Sequence, residues 1–127
     1  MPEWNERNGW FYMHQILIVE DEPDISALLA KILSSAGYHA KQAFSGTEAL
    51  LLLGQGLPDL ILLDLMLPGL NGETLLHEIR ETMGSDLPII ILSAKSSLKD
   101  KVALLQHGAD DYITKPFSIQ ILMRRVE

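Results

Sequence analysis

The sequence predicts an α/β fold: a doubly wound, five-stranded parallel sheet of the (βα)5 type. From Met13 onward, short apolar runs alternate five times with amphipathic segments, which is the pattern of parallel strands joined by helices. Residues 16–19, 60–63 and 89–92 are apolar throughout, as expected of strands buried on both faces. Each of these runs is followed by polar residues, as expected if a functional crevice lies at the carboxyl ends of the strands.

The first half of this region contains two strands and two helices. "QILIV" at 15–19 is the first strand, and the apolar residues of 24–37 fall on one helix face that ends at a glycine. "YHAKQA" at 38–43 is a more polar strand, so it belongs at the edge of the sheet. Ser45 and Glu48 have the spacing of a capping box, which begins the second helix.

The second half repeats the alternation three more times. The predicted strands are 59–64, 87–92 and 110–114, and the predicted helices are 71–84, 97–108 and 118–127. Residues 13–127 therefore form one domain, and its last helix is expected to be truncated at Glu127. Residues 1–12 contain both tryptophans and show no periodicity, so they are interpreted as a vector-derived extension or a disordered native arm and excluded from the fold.

The composition narrows the class of protein. The chain has 127 residues, 47% of them hydrophobic and 21% charged, which is typical of one globular domain. The absence of cysteine excludes a disulfide scaffold or a thiolate metal site and fits a cytoplasmic location. The formal net charge of -7 disfavours direct binding of nucleic acid by this domain. No apolar run approaches the length of a membrane span, so no membrane association is expected.

Five polar side chains are predicted to meet in the crevice. Glu20 and Asp21 follow the first strand, Asp64 ends the third, Ser93 ends the fourth, and Lys115 follows the fifth. Strand ends in one parallel sheet share one edge, so these groups should lie close together. Asp64 is anchored by a buried strand, and its carboxylate should point into the crevice.

This set of groups is suited to phosphoryl transfer. Clustered carboxylates bind a hard cation such as Mg²⁺, which prefers a few carboxylates together with water and phosphate oxygens. Lys115 adds a point charge for a phosphoryl oxygen, and Ser93 adds a hydroxyl donor. A carboxylate can itself be the nucleophile and form an aspartyl phosphate, for which Asp64 is best placed. Taken one at a time, Asp64 could instead cap a turn, Glu20 and Asp21 could form a solvated acidic turn, and Ser93 could cap a helix.

Four motifs in order give a more specific interpretation. The segments "ILIVEDE", "LILLDLMLPGLNG", "IIILSAK" and "DDYITKPF" resemble the receiver domain of bacterial two-component response regulators. The resemblance covers residues 13–127 without a large gap. It implies a flavodoxin-like sheet with the strand order 2-1-3-4-5. It also implies a regulatory phosphoprotein that assists its own Mg²⁺-dependent phosphorylation and dephosphorylation, rather than an enzyme with a separate substrate.

The resemblance also implies a role for each crevice residue. Asp64 corresponds to the phospho-acceptor, which receives its phosphoryl group from a sensor histidine kinase. Asp21 corresponds to a direct Mg²⁺ ligand, Glu20 to an acid that acts nearby, and the backbone carbonyl of Met66 to a third ligand from the protein. Lys115 corresponds to the lysine that contacts the phosphoryl group.

A switch is implied on the far side of the site. Ser93 resembles the hydroxyl that moves toward the phosphoryl oxygen, and Tyr112 resembles the aromatic residue that turns inward behind it. Together they would form the two-state element that phosphorylation biases. A plain core or edge aromatic remains the alternative for Tyr112.

The end of the chain resembles regulators whose receiver precedes a winged-helix DNA-binding domain. Such receivers form phosphorylation-dependent homodimers through the fourth helix, fifth strand and fifth helix. Asp111 and Arg125 match one charge pair of that face, and Lys101 matches the basic member of another, whose usual acidic partner position is Ile121 here. DNA contact would come only through a C-terminal domain outside this chain, and control of transcription is the expected output.

Other classes are open at this stage. A stand-alone single-domain regulator is compatible with the same motifs. A phosphorylation-independent pseudo-receiver usually lacks the acceptor, the metal-binding acid or the lysine, all of which are present. An FMN-binding flavodoxin needs a phosphate loop where this chain has "EDEPD". A haloacid-dehalogenase phosphatase needs an acid two residues after its nucleophile, where this chain has Met66.

Overall fold

The computed structural model describes residues 2–5, 9–12, 14–67, 72–82, 86–94, 98–106, 108–115 and 118–126. The strands are β1 (Pro2–Asn5), β2 (Gly9–Tyr12), β3 (Gln15–Val19), β4 (His39–Ala43), β5 (Leu60–Asp64), β6 (Ile89–Ser93) and β7 (Asp111–Thr114). The α-helices are α1 (Pro23–Ser35), α2 (Gly46–Gln55), α3 (Gly72–His77), α4 (Leu98–Gln106) and α5 (Ile119–Val126), and a π-helical turn (Glu78–Thr82) continues α3. None of the helices in these ranges combines the length and the apolar character that a membrane span requires.

Five strands form one parallel sheet in the order β4-β3-β5-β6-β7. Numbered within the domain, this is the order 2-1-3-4-5 that the resemblance to receiver domains implied. The polar strand β4 lies at an edge, where its side chains alternate between exposed and buried positions. The central strands β5 and β6 are buried on both faces, which explains why their sequences are almost continuously apolar.

The sheet separates two hydrophobic clusters. Leu17 and Val19 of β3 point to the face covered by α2, α3 and α4, whereas Ile16 and Ile18 point to the face covered by α1 and α5. This division follows from the two-residue period of a strand. Each fully buried aliphatic side chain contributes about 1.5–3 kcal/mol to folding, so the ends of these strands are held in a well-packed frame.

The helix ends agree with the sequence signals. The backbone N–H of Glu48 donates to Ser45 Oγ over 3.0 Å, and Glu48 Oε1 accepts from the N–H of Phe44, one residue before the cap. Gly37, after α1, and Gly108, after α4, have φ angles of +96° and +113°. Only glycine adopts this left-handed conformation without strain, which is why both helices end there.

The third predicted helix differs from the expectation. Residues 71, 83 and 84 of the predicted helix lie outside the described residues. Within 72–82, α3 is followed by the π-helical turn, from which Arg80 binds three other segments. Arg80 donates to the carbonyl oxygens of Leu87 (2.6 Å) and Gly108 (2.9 Å) and to Asp110 Oδ2 (2.9 Å). The periodicity of the sequence contains no information about these contacts.

The N-terminal segment also differs. Residues Pro2–Asn5 and Gly9–Tyr12 pair as an antiparallel two-stranded sheet that is separate from the five-stranded one. The sequence indicated no regular structure here, because the alternation that identifies strands is absent. The interpretation of residues 1–12 as a vector-derived extension or a native arm stays a prediction.

Candidate functional site

The backbone at the carboxyl edge of the sheet is fixed by hydrogen bonds that extend the strands. The N–H of Glu20, just after β3, donates to the carbonyl of Ala43 over 3.0 Å. The N–H of Lys115, just after β7, donates to the carbonyl of Ser93 over 2.7 Å. These bonds tie the residue after one strand to the end of its neighbour, so the side chains that follow the strands have little freedom to drift apart.

Lys115 contacts two buried carboxylates. Its Nζ lies 2.8 Å from Glu20 Oε1 and 3.1 Å from Asp64 Oδ2. Glu20 is 1% exposed and Asp64 is 5% exposed. Two buried negative charges would be costly without compensation, and the ammonium group supplies it at hydrogen-bonding distance from both. The structure therefore brings together residues from β3, β5 and β7 that lie far apart in the sequence.

The second oxygen of Asp64 is held by the turn that follows β5. Asp64 Oδ1 accepts the backbone N–H of Met66 over 3.0 Å. Leu65 and Leu67 are buried at 3% and 7% exposure, and the side chain of Met66 between them is 63% exposed. The carboxylate is thus oriented by one contact to each oxygen, and the exposed residue Met66 provides one of these contacts through its backbone.

Gly72 lies directly against the turn that follows β5, and the sequence analysis did not identify this role. The N–H of Gly72, at the start of α3, donates to the carbonyl of Leu65 over 3.1 Å. A Cβ on Gly72 would lie 2.7 Å from Leu65 Cα and 2.8 Å from the carbonyl oxygen of Asp64. Only a residue without a side chain permits this close approach of α3 to the acceptor turn. The signal available in the sequence was the presence of a glycine at position 72, a few residues after Asp64.

Burial and charge shift the protonation equilibria of the site. Burial raises the pKa of Glu20 from 4.5 to about 7, the bond from Lys115 opposes this shift, and the carboxylate of Asp64 adds to it. For Lys115, burial alone would lower the pKa, but its contacts with Glu20 and Asp64 raise the pKa above its ordinary value. Lys115 therefore stays charged, and Glu20 is the group that titrates near neutral pH.

The acidic residues form a group that could hold a metal ion. One carboxylate oxygen from each of Glu20, Asp21 and Asp64 lies within 4.8 Å of the others. Glu20 and Asp64 are buried and Asp21 is partly exposed, so the cluster has an open side. Oxygen-only ligands favour a hard divalent cation over a soft one. The raised pKa of Glu20 supports this fit, because a bound cation would supply the positive charge that favours its ionised form.

The two predicted switch residues, Ser93 and Tyr112, lie on the neighbouring strands β6 and β7. Ser93, at the end of β6, is completely buried. Tyr112 of β7 is 8% exposed and packs in the cluster formed with α2, α3 and α4. The ammonium of Lys101 on α4 lies 5.8 Å from the centroid of the Tyr112 ring, a distance at which a cation–π interaction is favourable.

The charge pair assigned to the dimer face is joined within one chain. Arg125 Nη1 donates to Asp111 Oδ1, which also accepts the backbone N–H of Tyr112 over 2.8 Å. Lys101, the third residue assigned to this face, lies over the ring of Tyr112. The assignment of these three residues to a dimer face stays a prediction, and the structure adds that Arg125 pairs with Asp111 of its own chain.

Comparison with known proteins gives a consistent family. The family model described as the response regulator receiver domain matches residues 16–127 of this chain. The DNA-binding dual master transcriptional regulator RpaA of Synechocystis is 42% identical over 115 residues, which are 90% of this chain and 48% of that protein. The transcriptional regulatory protein DltR of Streptococcus agalactiae is 46% identical over 112 residues, 88% of this chain and 50% of that protein. The chain spans about half the length of these curated relatives.

Solved structures give the same result for the fold. The receiver domain of the Francisella response regulator 1452 is 38% identical, with a TM-score of 0.84 over 88% of this chain and 92% of that chain. A CheY-like response regulator receiver domain protein from Methanospirillum hungatei is 30% identical, with a TM-score of 0.83 over 91% of each chain. This chain belongs to the response regulator receiver domain family of two-component signalling systems.

Proposed function

We propose that Asp64 accepts a phosphoryl group from a sensor histidine kinase. The observation that carries this proposal is the ammonium of Lys115 between the buried carboxylates of Glu20 and Asp64 at an open sheet edge. Asp64 Oδ1 is engaged by the N–H of Met66 and Oδ2 by Lys115, so the carboxylate is oriented for attack. In the transfer, a carboxylate oxygen forms a bond to phosphorus while the bond from phosphorus to the donor nitrogen breaks.

Mg²⁺ is the proposed cofactor of this step. The carboxylates of Glu20, Asp21 and Asp64 and the backbone carbonyl of Met66 would hold it, in agreement with the oxygen-only cluster described above. A cation held by these groups would supply positive charge for the phosphoryl oxygens during the transfer. Lys115 provides the second positive charge on the same side of Asp64, and its raised pKa keeps it protonated at physiological pH.

Ser93 and Tyr112 are the proposed switch. Ser93 is completely buried at the end of β6, on the strand next to Asp64, from which its hydroxyl could turn toward a phosphoryl oxygen. Tyr112 lies on β7 and packs under Lys101 of α4. A shift of Ser93 toward the phosphoryl group would change the space beside Tyr112, and the response would reach the surface of α4, β7 and α5.

The proposed output is transcription control through a DNA-binding domain of the winged-helix class outside this chain. The similarity to RpaA and DltR, both transcription regulators twice as long, supports it. Phosphorylation is proposed to promote a homodimer through the face that carries Lys101, Asp111 and Arg125. Because Arg125 already binds Asp111 of its own chain, dimerisation would share or exchange this pair rather than create it from free charges.

The deciding experiment is incubation with a small-molecule phosphodonor and Mg²⁺, followed by intact mass spectrometry. The wild-type chain is expected to gain one phosphoryl group, and Asp64→Asn is expected to gain none, because an amide cannot form the acyl phosphate. Asp86→Asn, which removes an exposed acid before β6, is the matched control and should react like the wild type. Equal phosphorylation of Asp64→Asn would refute the assignment. Sedimentation of the phosphorylated sample tests the dimer.

Mg²⁺ affinity is expected to fall as the pH decreases below about 7. Glu20 has its pKa raised to about 7 by burial, and its carboxylate must be ionised to act as a ligand. Each unit of pH below that value should therefore weaken binding by up to about tenfold. Titration calorimetry between about pH 5.5 and 8 checks this, and Glu20→Gln should bind more weakly but lose most of the pH dependence. A flat profile in the wild type would contradict the role of Glu20.

Two alternatives remain for the same fold. A pseudo-receiver would fold as described but gain no phosphoryl group, so the mass experiment separates it. A stand-alone regulator would be phosphorylated in the same way and act through protein contacts, with no DNA-binding domain. Expression of the complete gene product and measurement of its length and DNA binding distinguishes that case from a transcription regulator.

A further inference from the structure

Met66 is exposed because of its neighbours rather than by chance. Leu65 and Leu67 are buried on either side of it, and its own N–H is bound to Asp64 Oδ1. A residue fixed by buried neighbours and a backbone hydrogen bond cannot easily turn its side chain inward. Met66 is 63% exposed and lies two residues after Asp64, whereas Met123 on α5 is half-buried against the face of the sheet that α1 and α5 cover.

We propose that Met66 is an oxidation site through which peroxide shortens the lifetime of the phosphorylated state. This inference rests on the proposed function of Asp64 as phospho-acceptor. In the reaction, the thioether sulfur attacks one oxygen of hydrogen peroxide and the O–O bond breaks. The sulfur gains that oxygen as a sulfoxide, and the peroxide is reduced to water. Susceptibility follows exposure, so Met66 should react before Met123.

The consequence for the site follows from polarity. The thioether is an apolar group beside the carboxylate, and an apolar cover leaves fewer ordered water molecules near a phosphoryl group on Asp64. The sulfoxide is a strong hydrogen-bond acceptor and converts an apolar side chain into a polar one. It would hold water at the open side of the site, next to the acyl phosphate bond that water must hydrolyse. Methionine sulfoxide is reversible by reductases, so the change could be undone.

The test compares oxidation and phosphate loss in the same samples. Protein is treated with hydrogen peroxide and then freed of peroxide. One aliquot is mapped by peptide mass spectrometry to locate the oxidised residues. The rest is phosphorylated with a small-molecule donor and Mg²⁺, and the loss of the phosphoryl group is followed by intact mass spectrometry. Oxidised wild type is expected to lose its phosphoryl group at least about threefold faster than untreated protein. Met66→Leu should show the same rate with and without peroxide, and Met123→Leu should respond as the wild type does. Untreated Met66→Gln should resemble the oxidised protein.

The outcomes separate this inference from the function on which it rests. Absence of phosphoryl gain in untreated wild type would overturn the proposed function and the inference together. Normal phosphorylation with oxidised Met66 but an unchanged rate of loss would overturn the inference alone. The same follows if peptide mapping finds Met66 unmodified while Met123 is oxidised, or if Met66→Leu keeps the peroxide response. Recovery of the slow rate after treatment with sulfoxide reductase would support it.

Discussion

Replacing Lys115 with methionine is expected to lower the free energy of unfolding by about 1–3 kcal/mol at pH 8 without Mg²⁺. The ammonium contacts the carboxylates of Glu20 and Asp64, which are 1% and 5% exposed. Methionine keeps most of the length of the side chain but leaves two buried acids without this cation. The loss is smaller than for a fully buried ion pair because the Lys115 side chain is 21% exposed and Glu20 can take up a proton.

The effect should increase with pH. The pKa of Glu20 is raised from 4.5 to about 7 in the folded protein, so the stability that its protonated form contributes is present below pH 4.5 and lost as the pH rises through 7. Lys115 opposes this rise, and its removal should move the pKa of Glu20 further upward. The free energy of unfolding of the variant would then keep falling to a higher pH than that of the wild type. The difference in stability between the two proteins should therefore be small near pH 5 and largest near pH 8.

Urea denaturation at both pH values measures the difference. Lys31→Met is the matched control, because Lys31 is exposed on α1 and its replacement should change stability by less than about 0.5 kcal/mol. Addition of Mg²⁺ should narrow the gap between Lys115→Met and wild type, since the ion would supply part of the missing charge. An equal loss at pH 5 and pH 8 would show that lost packing, and not charge, is the cause.

Gly72→Ala should both destabilise the domain and slow phosphorylation of Asp64. The new methyl group would lie 2.7 Å from Leu65 Cα and 2.8 Å from the carbonyl oxygen of Asp64, and both contacts are with backbone atoms. Either α3 or the acceptor turn must move, which costs about 1–3 kcal/mol. The helix propensity gained is at most about 1 kcal/mol, so the steric effect decides the sign.

Gly54→Ala provides a control of opposite sign. Gly54 lies within α2, and a Cβ there would have no heavy atom within 4 Å. Alanine at this position should stabilise the domain by about 0.5–1 kcal/mol and leave phosphorylation unchanged. Thermal unfolding and the rate of phosphoryl gain measure both variants. If Gly72→Ala behaved like Gly54→Ala, the close approach of α3 to the acceptor turn would have no consequence for stability.

The regular part of the fold was predictable because the sequence carries its period directly. β5 and β6 are apolar up to their last residues, Asp64 and Ser93, as strands buried on both faces should be, and β4 is polar because it lies at an edge. The clustering of Glu20, Asp64 and Lys115 was predictable for a topological reason, since the carboxyl ends of parallel strands meet at one edge. These inferences required knowing only at the end of which strand each residue lies, and not the exact position of its side chain.

The remaining features depend on contacts between segments distant in sequence. Glu20 was expected near the metal site, but nothing local indicated that it binds Lys115 at 2.8 Å. Arg80, in the π-helical turn, contacts Leu87, Gly108 and Asp110. The intrachain pair of Asp111 and Arg125 likewise requires the packing of α5 against β7. Such contacts are absent from any periodicity, so they could not be predicted from it.

The contacts of Arg80 also make one amide a reporter of local opening. Asp110 Oδ2 accepts both Arg80 Nη2 and the backbone N–H of Ile89, over 2.9 and 2.8 Å. The amide of Ile89 can exchange its hydrogen with solvent only when its bond to Asp110 is broken, and the Asp110 carboxylate is held by a side chain of the π-helical turn. The exchange rate at Ile89, the first residue of β6, should therefore report how often the residue before β7 moves away from the start of β6 in the folded protein.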